Sequence, residues 1–406
     1  MNAWYQSRYT GFFHGFDRVA PRPHDPQVSI FAGIAPQLHP DLSGLLQVGG
    51  CGWSDEAAAN ACAGEGIERL FAYPLDQDAA IEASHDHWPM AEPAIAPERW
   101  VLFHPQQYQL AGFPFEPLTG STRCRWVCFR EASSGEPYWV PEEFAYLLPR
   151  PGCSHRFCPA TSTGLAAGTA GQPVVLRALQ EVIERDALLG AWWGTYPVEE
   201  IDRHAAWGPE ELARLHRPNL RWRFFRIQSP FSHHVTMVTV EGEDQEGFCH
   251  SIGSACRESR RASWIKSTLE AVQGRHYVRH LRQQRAADIR PPAMHIFADH
   301  ALHYSLHPDE LNRTILNQTR QATPPAEVLD ESLPVLCARL KERPVLVRNL
   351  MPPMLAAQGL DWRVAKVVVP GLQPLHGDDR FAHLGGPLWL PRSLDEWNAM
   401  PTHPFP

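Results

Sequence analysis

The chain predicts an α+β fold, and three observations carry that reading. Three strong helical segments are separated by strand-like pieces. Two of those pieces flank a short turn, as an antiparallel hairpin does, which argues against a doubly wound parallel sheet. The 38 prolines among 406 residues interrupt both long helices and long strands, which argues against a helical bundle.

The elements follow in order. Val28–Gly33 and Leu45–Gly50 read as strands between loops. Glu56–Phe71 is Ala-rich and reads as the first helix. The Pro- and His-rich stretch 80–123 has weak periodicity and reads as loops and short helices, with no readable role for His85 or His87. Trp126–Phe129 and Tyr138–Val140 flank Ser-Ser-Gly-Glu-Pro and form the hairpin. Val174–Trp193 is the second helix, residues 220–254 read as strands, and about 262–282 is the third helix. In the strand region, His233 and His234 point to alternate faces. Residues 290–360 mix helix and loop. Val364–Val369 is a buried-type strand ended by Pro370-Gly371, and the tail is Pro-rich to its last residue.

Composition excludes several classes. The net charge of −8 and a pI near 6.2 fit a nucleic-acid binder poorly. No apolar run is long enough to span a membrane, and residues 1–13 carry no secretory apolar core. Nine scattered cysteines predict reduced thiols and a cytoplasmic protein. The spacings of Cys124/Cys128 and Cys153/Cys158 are possible for zinc, but no regular companion pair completes them.

The three helices share a pattern. Glu65, Glu68 and Arg69 lie on the first, Glu181, Glu184 and Arg185 on the second, and Glu270, Gln273 and Arg275 on the third. Each pairs an acid with an acid or amide three residues on, hence on one face. One such motif ordinarily marks a solvated face; three, too unevenly spaced for a solenoid, point to a shared site. On a helical wheel Arg177, Glu181, Glu184 and Arg185 fill one arc, with Val174 and Leu188 at its ends, while Val175, Ala178, Leu179, Val182 and Leu189 fill another. Such a stripe suits the wall of a cavity. Asp186 falls in the apolar arc, where a satisfied structural acceptor is the ordinary finding. Oxygen donors from several helices suit Mg²⁺, with arginines for phosphate oxygens. The small-residue turn Thr161–Thr169 before the second helix suits anion binding, although neither a P-loop nor a dinucleotide fingerprint is present.

The block Thr161–Trp193 (TSTGLAAGTAGQPVVLRALQEVIERDALLGAWW) resembles the signature of the YcaO family, and the other two acidic helices fall where that family has its remaining motifs. Trp139-Val140-Pro141, Val369–Leu372 and Pro374-Leu375-His376 resemble further landmarks. The resemblance runs from about Thr10 to Pro406 and implies one catalytic domain, 1–406, built of β-sheets and several helices around a central nucleotide site, with a Pro-rich tail from about 390.

It implies an azoline-forming cyclodehydratase that uses ATP and Mg²⁺. A Cys, Ser or Thr side chain of a ribosomal precursor peptide attacks the preceding amide, whose oxygen is phosphorylated and leaves, giving thiazoline or oxazoline. Glu65, Glu68, Glu181 and Glu184 match Mg²⁺ ligands. Glu65, Arg69, Glu181, Arg185, Glu270, Gln273 and Arg275 match nucleotide-binding positions. Glu184 and the terminal carboxylate of Pro406 match catalytic roles. Arg69 and Arg185 fit equally as structural ion-pair partners. Ala61 stands where the family often has Ser, leaving Asn60 or Ser54 to supply that contact. The end, Pro401-Thr402-His403-Pro404-Phe405-Pro406, matches the family's P-x-P-x-P only in part, with Thr402 in place of the first proline. The implied setting is a bacterial, cytoplasmic, multi-subunit thiazole/oxazole-modified microcin synthetase. With the first acidic motif this early and no fused leader-binding module expected, its partners would be an E1-like (RRE-type) leader-binding subunit and a flavin-dependent azoline dehydrogenase. Alternatives are thioamide or amidine formation, and a non-catalytic YcaO scaffold subunit.

Overall fold

The computed structural model describes residues 11–36, 45–75, 78–148, 150, 156–284, 294–323, 331–352, 355 and 361–405. In chain order these form β1 (Gly15–Arg18), β2 (Ser29–Pro36), β3 (Leu45–Gly52), α1 (Asp55–Leu70), β4 (Ile81–Ala83), β5 (Cys124–Glu131), β6 (Pro137–Pro141), α2 (Glu142–Ala145), β7 (Leu165–Thr169) and α3 (Val174–Trp192). They continue as β8 (Val198–Ile201), α4 (Arg203–Ala206), α5 (Pro209–Leu215), β9 (Arg221–Ile227), β10 (Val235–Asp244), β11 (Gly247–Cys256), α6 (Arg260–Gln284) and α7 (Phe297–Leu306). The rest are β12 (Arg320–Ala322), α8 (Leu333–Leu340), β13 (Leu346–Asn349), β14 (Trp362–Val368) and α9 (Leu394–Ala399).

The fold is α+β, with three sheets among the described residues. One is β1-β2-β3 and antiparallel. A second runs β4-β5-β13-β14-β7, with β6 also paired to β5; a third runs β11-β10-β9-β8-β12, parallel only between β8 and β12. The Ser-Ser-Gly-Glu-Pro turn closes the β5–β6 hairpin, in which Trp126 faces Pro141 and Arg130 faces Pro137. The strand at 362–368 is buried and antiparallel to both neighbours. The short strand β13 was not legible in the chain. His233 and His234 lie in the turn before β10 rather than within a strand, with His233 exposed and His234 buried.

The three acidic helices are wedged between the sheets. α1 packs on β2 and β3 and reaches β7; α3 packs on β14 and β7 and reaches β11; α6 packs on β11 and β10 and reaches β3. Each helix therefore serves two sheets. The Ser54 hydroxyl caps α1 by accepting from the Ala57 amide at 3.2 Å. In α3, Leu179, Ile183 and Leu189 are fully buried, each stabilising the fold by about 1.5–3 kcal/mol. Val174 and Leu188 are buried as well, although the wheel set them in the polar arc. Close approach of α6 to β11 requires Gly253, where a Cβ would lie 2.1 Å from the Ser267 carbonyl oxygen.

Candidate active site

The polar faces of α1, α3 and α6 meet at a cavity of about 1850 Å³, also lined by β1–β3, Thr161–Thr163, β7, β11 and Phe405. The small-residue stretch expected to be one turn to Thr169 is a turn only to Gly164, and 165–169 is strand β7, paired with β14. Glu65, Glu68 and Arg69 reach it from α1, Glu181, Glu184 and Arg185 from α3, and Glu270 and Gln273 from α6. The shared pattern thus marks one site. Asn60 and Ala61 line the same wall, whereas Ser54 is engaged as a helix cap.

Several carboxylates are anchored. Glu65 accepts from the Gly49 amide at 2.8 Å. Glu184 accepts from the Ser254 hydroxyl at 2.6 Å and the Cys256 amide at 3.0 Å, which ties α3 to β11. Glu270 pairs with Lys266 at 3.0 Å and accepts from the Ser254 amide at 3.3 Å. Arg69 lies 3.2 Å from Glu68 and 3.9 Å from Glu65. Glu181 makes no hydrogen bond to the described residues.

This grouping strains ordinary ionisation. Burial, with Glu181 and Glu65 nearby, pushes the Glu68 carboxyl up to about 8 against the pull of Arg69. Burial also raises Glu181 against Arg185 and Arg69, and raises Glu184, to which Glu270 adds repulsion. Lys366, a buried cation in β14, is lowered to about 8 by burial. Its Nζ donates to the carbonyls of Thr163 at 2.7 Å and Thr161 at 3.3 Å, fixing the turn at the cavity wall. That turn ends at Gly164, whose φ of +80° and contact with Val367 leave no room for a side chain.

The donor set fits Mg²⁺ with a phosphate chain. Burial raises the Glu68, Glu181 and Glu184 carboxyls despite the cations around them, so a divalent cation would stabilise their charged forms. Arg185 Nε is buried without a hydrogen-bond partner, as a waiting phosphate ligand would be. The carboxylate oxygens bracket the cavity rather than converging on one point; the compact group of ligand atoms among the described residues lies elsewhere. That suits Mg²⁺, which binds through one or two carboxylates and fills its octahedron with water and phosphate oxygens.

One expected site residue stands apart. Arg275 is turned away from the cavity, with its guanidinium donating to the Gly242 and Cys249 carbonyls and to Asp244 at 2.9 Å. Its place in the pattern reflects support of the β10–β11 hairpin. Pro406 lies outside the described residues, as does Cys153; Cys128 and Cys158 carry free thiols. Asp186 is a buried acceptor for the Gln373 amide at 2.9 Å and the Tyr196 hydroxyl at 3.1 Å, as its position on the wheel implies. Lys366, Ser254 and Lys266 were not singled out by motif. Of these only Lys366 carried a signal, as the one charge inside the apolar run Val364–Val369.

A fold of this kind around such a site defines a Mg²⁺- and nucleotide-binding enzyme. The chain belongs to the YcaO family: the family described as YcaO cyclodehydratase, ATP- and Mg²⁺-binding, matches residues 49–373. Solved structures share the fold. A heterocyclase in complex with substrate and cofactor superposes with a TM-score of 0.72 at 16% identity, over 98% of this chain and 54% of that one. This chain therefore spans about half the length of that heterocyclase. YcaO from Methanopyrus kandleri, bound with AMPPCP and Mg²⁺, gives 0.62 at 19% identity over 91% and 88% of the two chains. The E. coli microcin synthetase McbBCD complex gives 0.63 at 14%, covering 96% of each chain. No curated protein matches by sequence. No helix among the described residues is long and apolar enough to cross a membrane.

Proposed function

We propose that this chain is the cyclodehydratase subunit of a peptide-modifying assembly, forming thiazoline or oxazoline from Cys, Ser or Thr of a ribosomal precursor. The observation that carries the reading is the meeting of three acidic helices at one cavity that Phe405 also lines. The cavity exceeds the roughly 300–1,000 Å³ of an ordinary small-molecule site, so a nucleotide and a peptide segment can share it.

In this reading the substrate thiol or hydroxyl attacks the preceding amide carbon and loses its proton to a base, for which the Pro406 carboxylate is the candidate. The amide oxygen takes the γ-phosphoryl group of ATP and departs as phosphate, with the amide proton lost as the ring C=N forms. Bound Mg²⁺ supplies neutralisation of phosphate charge. Glu65, Glu68, Glu181 and Glu184 would hold the cation, and Arg69, Arg185, Glu270 and Gln273 would orient the phosphates and nucleotide. Lys366 holds the 161–164 turn. A leader-binding subunit delivers the precursor, and a flavin-dependent dehydrogenase acts on the azolines afterwards. The alliance of peptide and partner chains is supported by the likeness to the McbBCD complex, which has been solved with pro-MccB17 bound.

The test is mass spectrometry of a small peptide encoded beside this chain, incubated with the protein, its partner subunit and ATP. Loss of one water per ring is the expected result. Exchange of oxygen for sulfur would assign thioamide formation instead, and an unchanged mass with ATP unconsumed would assign a scaffold.

A further inference from the structure

Seven of the described Lys and Arg side chains line the cavity. Arg22, Arg69, Arg177, Lys266 and Arg279 are each paired with a carboxylate. Among the described residues, Arg185 and Arg257 are paired with none. Arg185 belongs to the second acidic motif, whereas Arg257 belongs to no motif. It follows directly on β11, before α6 begins, and is half-buried.

The backbone around Arg257 is pinned from several sides. Its amide donates to the Ser263 hydroxyl at 2.9 Å, and its carbonyl accepts from His234 Nδ1 at 3.3 Å. One residue earlier, the Cys256 amide donates to Glu184. One residue later, Glu258 accepts a two-pronged bond from Arg177, with Nη2 to Oε1 at 3.1 Å, and its carbonyl accepts from the Glu331 amide at 2.7 Å. The Arg257 side chain, by contrast, makes one hydrogen bond among the described residues, from Nη1 to the Cys256 carbonyl at 2.7 Å. A guanidinium carries five donors in a planar fork, so most of this one is uncommitted. Burial raises the Glu181 and Glu184 carboxyls, and Arg185 and Arg257 both act against it. Both arginines thus stand near these acids without bonding to either. A guanidinium on so firm a mount, near carboxylates yet unpaired, is presented to an anion from outside the chain.

We propose that Arg257 is a further catalytic residue, whose guanidinium takes the γ-phosphoryl oxygens of ATP and stays on them as that group passes to the substrate. The inference rests on the nucleotide-binding part of the function proposed above. Along α6 the cavity face runs from Lys266 through Glu270 to Gln273, away from residue 257. A nucleotide seated on Gln273, with its phosphates by Glu181 and Glu184, directs its terminal phosphoryl group toward Arg257. In the transfer the amide oxygen bonds to phosphorus as the bond from phosphorus to the β-phosphate oxygen breaks. The electron pair of the broken bond leaves with ADP. No proton moves to or from Arg257, which stays charged throughout. Its N–H groups donate to the non-bridging oxygens, over which the charge spreads during transfer.

The full chain is titrated with Mg²⁺-AMPPCP, which carries a third phosphoryl group, and with Mg²⁺-ADP, which lacks it. Arg257→Gln should weaken AMPPCP binding by about tenfold or more, the scale of a lost hydrogen bond to a charged group, and leave ADP binding unchanged. Equal weakening of both nucleotides would assign Arg257 to general charge balance and overturn the proposal. So would a variant that binds both as the wild type does, or a wild-type chain that binds neither. Should the variant not fold, arginine labelling of the wild type with phenylglyoxal decides. Protection of Arg257 by Mg²⁺-AMPPCP but not by Mg²⁺-ADP is then expected, and equal labelling with the two overturns the assignment. No peptide takes part, so a precursor of unchanged mass would refute cyclodehydration without altering this result.

Discussion

Glu181 and Glu184 share a face of α3 but differ in what holds them. Glu184 accepts two hydrogen bonds from β11, so Glu184→Gln turns one acceptor into a donor facing a donor and costs stability as well as turnover. Glu181 has only a cation to lose. Glu181→Gln should therefore leave thermal stability unchanged or raised, while Mg²⁺-ATP-dependent turnover falls by roughly 10²–10³-fold, the scale of a lost charge-stabilising group. Parallel loss of melting temperature and activity would rule this division out. His276, across the cavity, gives a pH signature. Burial, then Arg279, lowers its imidazole from 6.5 to about 4, against the nearby Asp25. Below 6.5 the unfolded chain binds a proton that the native state refuses, so this group's contribution to stability is present above 6.5 and is lost as pH falls toward about 4. Denaturant unfolding at stepped pH should show a shallower acid loss in His276→Gln than in wild type. At this scale, sequence shows which acids share a face but not their partners: the donors to Glu184 sit about 70 residues away on β11, a pairing only tertiary structure creates. Arg275 misled for the same reason, since its spacing from Glu270 says nothing about which side of α6 faces the cavity.

Among the elements, the three long helices were legible because an apolar stripe of helical period must find a wall. The hairpin at 124–141 was legible from its turn. The three-residue β12 and four-residue β13 were not, because so few residues carry no periodic signal and their pairing comes from neighbours distant in sequence. The seating of helix on strand is testable at Gly253. An added Cβ there meets backbone of α6, the Ser267 oxygen at 2.1 Å and the Ala271 nitrogen at 2.3 Å, which cannot rotate away. Gly253→Ala should cost about 1–3 kcal/mol and displace Glu270 with its helix, so turnover should drop further than the stability loss alone explains. Equilibrium unfolding and turnover, measured on the same preparation, check both.

At the scale of the whole molecule, the order of strands within each sheet was beyond the sequence, because β14 finds β7 and β13 only through contacts far apart in the chain. The class of fold and the convergence of the acidic helices were nevertheless within reach, since buried like charges on separate helices have few stable arrangements besides a common cation. Because the cavity walls come from all three sheets, Mg²⁺ and ATP together should stabilise the entire chain. At 100 times the dissociation constant the gain is about 2.7 kcal/mol, read as a higher melting temperature with MgATP that EDTA abolishes. ATP giving the same rise with EDTA present would exclude the metal from the site.

The pairwise bridging of sheets by α1, α3 and α6 has a consequence for how the molecule opens. No helix can detach without leaving two sheets with an uncovered apolar face, so partial opening costs nearly as much as complete unfolding. The three helices then behave as one cooperative unit rather than as separate lids. Slow fluctuations that widen the cavity must come from its rim, in the turns and edge strands, while the acidic wall stays rigid behind them.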